Sequence, residues 1–336
     1  MKAYELRPAE GLDALTLVDR PTPPMGPRDV RVRVCAVSLN YRDLVVARGA
    51  KKRAKPVVPI SDGAGEIVAV GSEAKRLAVG DRVVGAFFPT WLDGEISEDV
   101  HAHALGGSID GMLAEEVVLD ERAWLPIPEA LSFEQAATLP CAAVTAYHGL
   151  FEAATLRPGD TVLVQGSGGV AVFALQLARA AGAKVIATSS SAEKRERLKT
   201  LGASETLDYR ATPKWGEAAK ALTGGRGVDV VLEAGGPGTF DQSVVALRYG
   251  GTMSIFGVLT GTAGPVNTYA LFHKAIRVRG VYVGPVRMFE ALNRALAVSK
   301  IEPVIDRVFP FAEVRAAYEH LASGQHFGKV VVRVAV

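Results

Sequence analysis

Val30-Arg31-Val32-Arg33-Val34 alternates apolar and charged side chains with period two, which predicts a half-buried β-strand. Glu66-Ile67-Val68-Ala69-Val70-Gly71 and Asp81-Arg82-Val83-Val84-Gly85 predict two more short strands, each closed by a glycine. Strands punctuated in this way predict a small barrel or sandwich over roughly the first 120 residues. Pro21, Pro23, Pro24 and Pro27 form an extended connector ahead of it. Residues 87–111 have no periodicity and read as a long loop, in which Phe87, Phe88 and Trp91 are either the apolar wall of a cleft or core.

Beyond Pro126 and Pro128 the pattern changes. Ser132 with Gln135 three residues on is a capping-box pair that predicts a helix start. Short all-apolar strands then alternate with helical segments. Val162-Leu163-Val164, Val185-Ile186-Ala187, Val230-Val231-Leu232 and Met253-Ser254-Ile255-Phe256 are the strands. Apolar residues at 170, 173, 174, 177, 178 and 181 mark one helix face, and 192–201 predicts the next helix. Continuous apolar strands between helices predict a parallel sheet covered on both faces. The α/β reading is therefore a doubly wound parallel sheet over 125–283 and a β-rich domain over 1–124, to which 284–336 returns. Ile276 to Val283 predicts the last strand of the parallel sheet, an edge guarded only by Arg277 and Arg279.

Composition narrows the function. At 336 residues, two domains are expected. A hydrophobic share of 49% with 22% charged residues excludes a disordered chain, and a net charge of +2 gives no reason to expect nucleic acid or an anionic membrane as partner. Cys35 and Cys141 are the two cysteines, too few for a disulfide framework, so a reducing, cytoplasmic setting is expected. The uncharged run from Thr161 to Ala178 is interrupted by Gly166-Ser167-Gly168-Gly169, which argues against a membrane span. No targeting segment is expected at the start.

That interruption carries the chemistry. Gly166, Gly168 and Ala171 fit G-x-G-x-x-[G/A], directly after an apolar strand and at the start of an amphipathic helix. Gly166 permits the tight turn, and Gly168 lets backbone approach a pyrophosphate. The first helical amides, from Gly169 and Val170 onward, face the anion with Ser167 beside them. A ribose 2′-hydroxyl is normally met by an Asp or Glu about 20 residues beyond the first glycine. Here that stretch is Ala187-Thr188-Ser189-Ser190-Ser191, followed by Lys194 and Arg195. Small hydroxyls with a cation suit a 2′-phosphate, so NADP(H) is the expected cofactor and NAD(H) is admitted. Ser191 also has the place of a helix cap.

The chain resembles the medium-chain dehydrogenase/reductase superfamily, in its zinc-independent quinone-oxidoreductase-like branch. The resemblance rests on residues 38–43 (Ser-Leu-Asn-Tyr-Arg-Asp), 65–71, 80–85, 139–147 (Leu-Pro-Cys-Ala-Ala-Val-Thr-Ala-Tyr), the glycine loop and Phe327-Gly328-Lys329-Val330-Val331. It implies a GroES-like catalytic domain built from both chain ends together with a Rossmann domain. It further implies that Asn40 and Thr145 lie beside the nicotinamide and its ribose. Tyr209, Phe256, Val258, Phe327, Gly328 and Lys329 complete the implied cofactor contacts, and the implied assembly is a homodimer.

Asn40 stands where zinc alcohol dehydrogenases have a catalytic cysteine, and Ile60-Ser61-Asp62 replaces their Gly-His-Glu. Cys141 alone cannot hold a catalytic zinc, which needs about three protein ligands. No metal is expected, and His101 and His103 read as solvated. The expected activity is transfer of hydride from NADPH to quinones, enones or activated aldehydes, small molecules that accept it without a Lewis acid. Tyr41 is the candidate hydrogen-bond donor to substrate oxygen, or else a packing residue. The alternatives are an NAD(P)-dependent alcohol dehydrogenase acting on small alcohols and aldehydes, and a nucleotide-binding protein with a non-catalytic role.

Overall fold

In a computed structural model, which describes residues 1–334, these residues divide into two units, 1–144 with 284–334 and 145–283. The strands are, in order, β1 (Lys2–Leu6), β2 (Leu15–Asp19), β3 (Asp29–Leu39), β4 (Asp62–Val70), β5 (Arg82–Gly85), β6 (Glu116–Asp120), β7 (Trp124–Pro126) and β8 (Thr161–Gln165). They continue as β9 (Lys184–Thr188), β10 (Glu205–Leu207), β11 (Val228–Glu233), β12 (Leu247–Ile255), β13 (Arg277–Gly280), β14 (Ile305–Pro310) and β15 (Lys329–Arg333).

The first unit is organised by β3. Its alternating sequence buries Val30, Val32 and Val34 on one face. Its first half pairs with β6 and its second half with β15, while β4 runs along its other edge. The resulting seven-stranded sheet has the order β14-β15-β3-β4-β5-β7 with β6 beside β3, and β1 and β2 form a separate pair. Leu39, Leu105, Met112, Trp124 and Tyr318 lie in the core of this unit. The unit continues past residue 124 because β7 pairs with β5. The expected capping box then opens the helix Phe133–Ala137, and Leu131 and Ala137 are buried. Phe87, Phe88 and Trp91 are buried core residues in edge-to-face contact, and a short helix, Glu98–Ala102, interrupts the long loop that follows them.

The second unit is a six-stranded, all-parallel sheet in the order β10-β9-β8-β11-β12-β13. Its strands are buried on both faces: every residue of β11 is buried, and Val162, Leu163 and Val164 are fully so. The order reverses between β8 and β11, and a doubly wound sheet binds ligands beyond the strand ends at that switch point. The edge strand β13 has four residues, against the eight predicted. Beyond Gly280 the backbone turns inward: Val281 is buried and Val283 takes a φ of 53°. No helix among the described residues is long and apolar enough to cross a membrane.

Candidate active site

The glycine loop leaves β8 at the switch point, where Gly166 has a φ of 82°, a conformation that favours glycine. Its N–H is tied to the Thr188 carbonyl at 2.9 Å. The helix Gly169–Ala180 starts at Gly168 with no side chain capping it, so its first amides remain directed outward for an anion. Ala171 is 5% exposed, as close packing of this helix on the sheet requires.

Gln165, at the end of β8, braces the loop from behind. Its Nε2 donates to Glu233 at 2.7 Å and to Ser243 at 2.8 Å, and its Oε1 accepts from the Ala234 N–H at 3.0 Å. Glu233 is fully buried, yet accepts from the Gly235 and Gly236 N–H groups at 2.7 and 2.9 Å, from Thr239 at 2.5 Å and from Ser243. A buried carboxylate at the start of the helix Pro237–Ala246 is held by those donors and the helix dipole. Sequence reasoning did not select Glu233, although an acid ending an all-apolar strand ahead of Gly235-Gly236 is a readable signal.

At the end of β9, Ser189 is buried and Ser190 half-buried. Ser191 does cap the next helix, Ala192–Thr200, by accepting from the Lys194 N–H at 3.3 Å. Arg195 donates to the Ser189 carbonyl at 2.8 Å and to Asp208 at 2.7 Å. The acid of this neighbourhood thus comes from beyond β10, and Arg195 together with the Ala211 and Arg210 amides neutralises it. Tyr209 and Val258 are exposed, Phe256 is half-buried at the end of β12, and Thr145 is 4% exposed.

The first unit holds a different construction. Lys329 is 3% exposed, and its ammonium donates to the Leu39 carbonyl at 2.7 Å and to Asn40 Oδ1 at 2.5 Å. The lysine therefore faces Asn40 within the first unit. Ser61 donates to Asp62 at 2.6 Å, and the other Asp62 oxygen accepts from the Cys141 N–H at 3.1 Å. Asn40 and Ser61 thus lie in one buried cluster with a cation in it, which the backbone of the half-buried Cys141 joins; these are the three positions that the resemblance sets against zinc ligands. Burial raises the Asp62 carboxyl above the usual range, against the opposing pull of Lys329 and the Ser61 hydroxyl. Burial, followed by the charge of Asp62, pushes the Cys141 thiol far up. Among the described residues no group of three or more His, Cys, Asp and Glu side chains has an arrangement that could hold a metal.

Ile60 aims this cluster. It is a fully buried β-branched residue at φ 67°, a strained conformation that costs on the order of 1–3 kcal/mol. Its carbonyl accepts from the Met112 N–H at 2.7 Å, and a Cβ at Gly111 would lie 2.2 Å from that oxygen, so only glycine fits there. Asp43 accepts from the Asn40 N–H at 2.7 Å at the start of the helix Tyr41–Arg48. Burial pushes the Asp43 carboxyl up to about 7, partly offset by Arg42. Tyr41 opens that helix at 42% exposure. Phe327 is buried, and Gly328, at φ 78°, passes 2.4 Å from the Val304 carbonyl where a Cβ would be.

A parallel sheet with a glycine loop at its switch point, paired with a β-rich unit built from both chain ends, defines a dinucleotide-dependent oxidoreductase. Residues 26–129 match the family described as Alcohol dehydrogenase GroES-like domain, and residues 169–298 match Zinc-binding dehydrogenase. A zinc-type alcohol dehydrogenase-like protein of Schizosaccharomyces pombe is 42% identical, with 92% of each chain covered. An acryloyl-coenzyme A reductase of Sulfurisphaera tokodaii is 31% identical over 94% of this chain and 96% of its own. Among solved structures, a putative alcohol dehydrogenase from Sinorhizobium meliloti 1021 is similar with a TM-score of 0.91 and 42% identity, covering 99% of this chain and 100% of that one. An NAD-dependent alcohol dehydrogenase has a TM-score of 0.91 and 34% identity, with 100% of both chains covered. The crotonyl-CoA carboxylase/reductase AntE in complex with NADP has a TM-score of 0.87 and 29% identity, covering 99% and 94%. The chain belongs to the medium-chain dehydrogenase/reductase superfamily, a family of NAD(P)-dependent oxidoreductases.

Proposed function

We propose that this oxidoreductase uses NADPH, without a metal, to reduce electron-poor acceptors: enones, α,β-unsaturated thioesters, quinones and activated aldehydes. The observation that carries the reading is the Lys329 ammonium bonded to Asn40 at 2.5 Å. A divalent cation at the same cluster would be repelled by that ammonium, and Cys141, with its thiol pushed far up, is a poor source of thiolate. Carbonyl polarisation by zinc is absent from this reading, so the acceptor must already be activated. When bound, the dihydronicotinamide supplies the hydride.

The Gly166–Val170 loop and the amides of the helix Gly169–Ala180 hold the pyrophosphate, and Ser189, Ser190 and Lys194 hold the 2′-phosphate. Thr145, Tyr209, Phe256 and Val258 are the remaining candidate contacts of the second unit. In the first unit, Lys329 donates to the Asn40 oxygen and so turns the Asn40 amide –NH₂ away from itself, as a donor. Tyr41, exposed at its helix start, donates to the substrate oxygen, where charge develops as hydride arrives. The reductase name of the Sulfurisphaera relative and the NADP bound by AntE support the acceptor and the cofactor.

The same reading includes a homodimer joined along β13, whose four residues are all exposed and which has β12 as its one neighbour in the sheet. Tyr269 and Phe272, 62% and 71% exposed just before that strand, add apolar surface that such a contact would bury. A second reading, a zinc-dependent alcohol dehydrogenase, is favoured by the Zinc-binding dehydrogenase match and the zinc-type relative. Rates of NADPH oxidation with crotonyl thioesters, enones, quinones and aldehydes, set against NADP⁺ reduction by simple alcohols, separate the two. Turnover of alcohols alone overturns the proposal.

A further inference from the structure

The buried Glu233 carboxylate has no part in the reaction proposed above, yet it accepts five hydrogen bonds. Oε1 takes the Gly235 and Gly236 N–H groups and the Thr239 hydroxyl, and Oε2 takes the Gln165 amide and the Ser243 hydroxyl. All five partners are donors, so an ionised carboxylate is satisfied here where an amide is not. The polarity runs on through Gln165. Because its Nε2 is directed at Glu233, its Oε1 faces the Ala234 and Gly235 N–H groups, at 3.0 and 3.2 Å. Gln165 is the residue before Gly166, so the turn of the glycine loop is tied at its strand end to residue 233.

The backbone that Glu233 holds, residues 234–236, is bonded in turn to the segment after β12. The Phe256 N–H donates to the Glu233 carbonyl at 3.1 Å, and the Leu259 N–H donates to the Ala234 carbonyl at 3.3 Å. Thr260 donates twice to the Gly235 carbonyl, from its N–H at 2.8 Å and its hydroxyl at 2.7 Å. That hydroxyl also accepts from the Gly238 N–H at 2.8 Å. The approach is close: a Cβ at Gly257 would lie 2.3 Å from the Ala234 carbonyl oxygen, so only glycine fits there. Three strand-end turns, at 165–166, 234–236 and 256–260, are therefore linked through one carboxylate. The first opens the loop assigned to the diphosphate, and the third contains Phe256 and Val258.

We propose that Glu233 is a positioning residue for the dinucleotide: it sets the spacing between the glycine loop and the 256–260 turn, so that one cofactor meets both. The inference rests on the reading of those two segments as cofactor contacts. Its chemical content is the donor–acceptor pattern. Glu233→Gln sets an –NH₂ against donors whichever way the amide turns. It meets the Gly235 and Gly236 N–H groups, or it meets Gln165, which must then flip and release the Ala234 N–H. Gln165→Glu combined with Glu233→Gln restores every bond. Residue 165 then accepts from the Ala234 and Gly235 N–H groups and from the amide at 233, while Ser243 reverses its two bonds.

The test is calorimetric titration with NADPH and with 5′-ADP, which has the adenosine and diphosphate but no nicotinamide end. Glu233→Gln should raise Kd for NADPH about tenfold, as contacts to one end are lost, and change that for 5′-ADP little. The exchanged pair should return NADPH affinity to the wild-type value. Should Glu233→Gln not fold, Gln165→Met decides the matter: Glu233 keeps the Gly235, Gly236, Thr239 and Ser243 donors, and the same selective loss is expected. Equal losses for the two ligands, unchanged NADPH affinity in the folded variants, or an exchanged pair that recovers melting temperature without NADPH affinity, each overturn the proposal. Wild-type protein that binds neither ligand removes the cofactor-contact reading, and amide hydrogen exchange then decides the coupling separately. Faster exchange at both 166–170 and 256–260 in Gln165→Met, reversed in the exchanged pair, supports it; exchange unchanged at either segment overturns it.

Discussion

Lys329 and Asn40 are 289 residues apart in the chain, and the lysine ammonium donates to the asparagine amide oxygen at 2.5 Å. An ammonium has donors only, so this bond sets the orientation of the amide. It also places a positive charge beside Asp62, where its pull opposes the effect of burial on that carboxyl.

Lys329→Met should therefore leave Asp62 buried without its counter-charge and cost about 3–5 kcal/mol of stability. Adding Asp62→Asn should restore much of the melting temperature, while turnover stays at least tenfold below wild type because Asn40 is no longer oriented. If the double variant recovers turnover along with stability, Lys329 is structural only.

Lys194→Ala should cost about 1.5–3 kcal/mol in kcat/KM for NADPH, roughly tenfold or more, with little change for NADH. Arg195 is a poorer target, because its guanidinium is bonded to Asp208 and to the Ser189 carbonyl. Equal losses for the two cofactors would remove the 2′-phosphate assignment.

The glycine loop at the switch point was legible because it is local. Strand, Gly166, Gly168 and helix follow one another in the chain, and the residue types are dictated by turn geometry and anion binding. The buried cluster was legible only in part. Residue identities pointed to Asn40, Ser61 and Cys141 as altered ligand positions, but no pattern along the chain places Lys329 against Asn40. That contact is made when β15 pairs with the second half of β3. The β13 edge was overestimated for a different reason. Apolar alternation continues to Val283, whereas the backbone has already turned inward after Gly280.

Asp43 should leave a signature in the pH dependence of stability. Its carboxyl is held up at about 7 in the folded protein and titrates near 3.9 in an unfolded chain. Its contribution is complete below pH ~4 and is lost as the pH rises through 7, at up to ~1.4 kcal/mol per unit. Asp43→Asn keeps an acceptor for the Asn40 N–H and removes the titration. The wild-type advantage, measured by urea unfolding, should fall between pH 4 and 7 and then level. Parallel stability curves for the two proteins would contradict this.

Val281 donates its N–H to the Ile255 carbonyl at 2.8 Å, inside the sheet. Val278 and Gly280 are out of step with it by odd numbers of residues, so their N–H groups turn toward the open edge of β13. Val278→Pro should therefore shift a dimer toward monomer in sedimentation equilibrium, with the fold of the chain kept. A wild-type mass near 35.4 kDa at micromolar concentration would rule out the edge contact.

The proposed activity is metal-free hydride transfer to an electron-poor acceptor, for which the activated carbon–carbon double bond of an enone is the diagnostic case. It is tested most directly with NADPH deuterated at C4, an α,β-unsaturated carbonyl acceptor, and enzyme dialysed exhaustively against a chelator. The predicted result is undiminished turnover, with the deuterium on the β-carbon of the product. Activity that disappears with stoichiometric zinc and returns on its re-addition, or deuterium found only on a carbinol carbon, would contradict it.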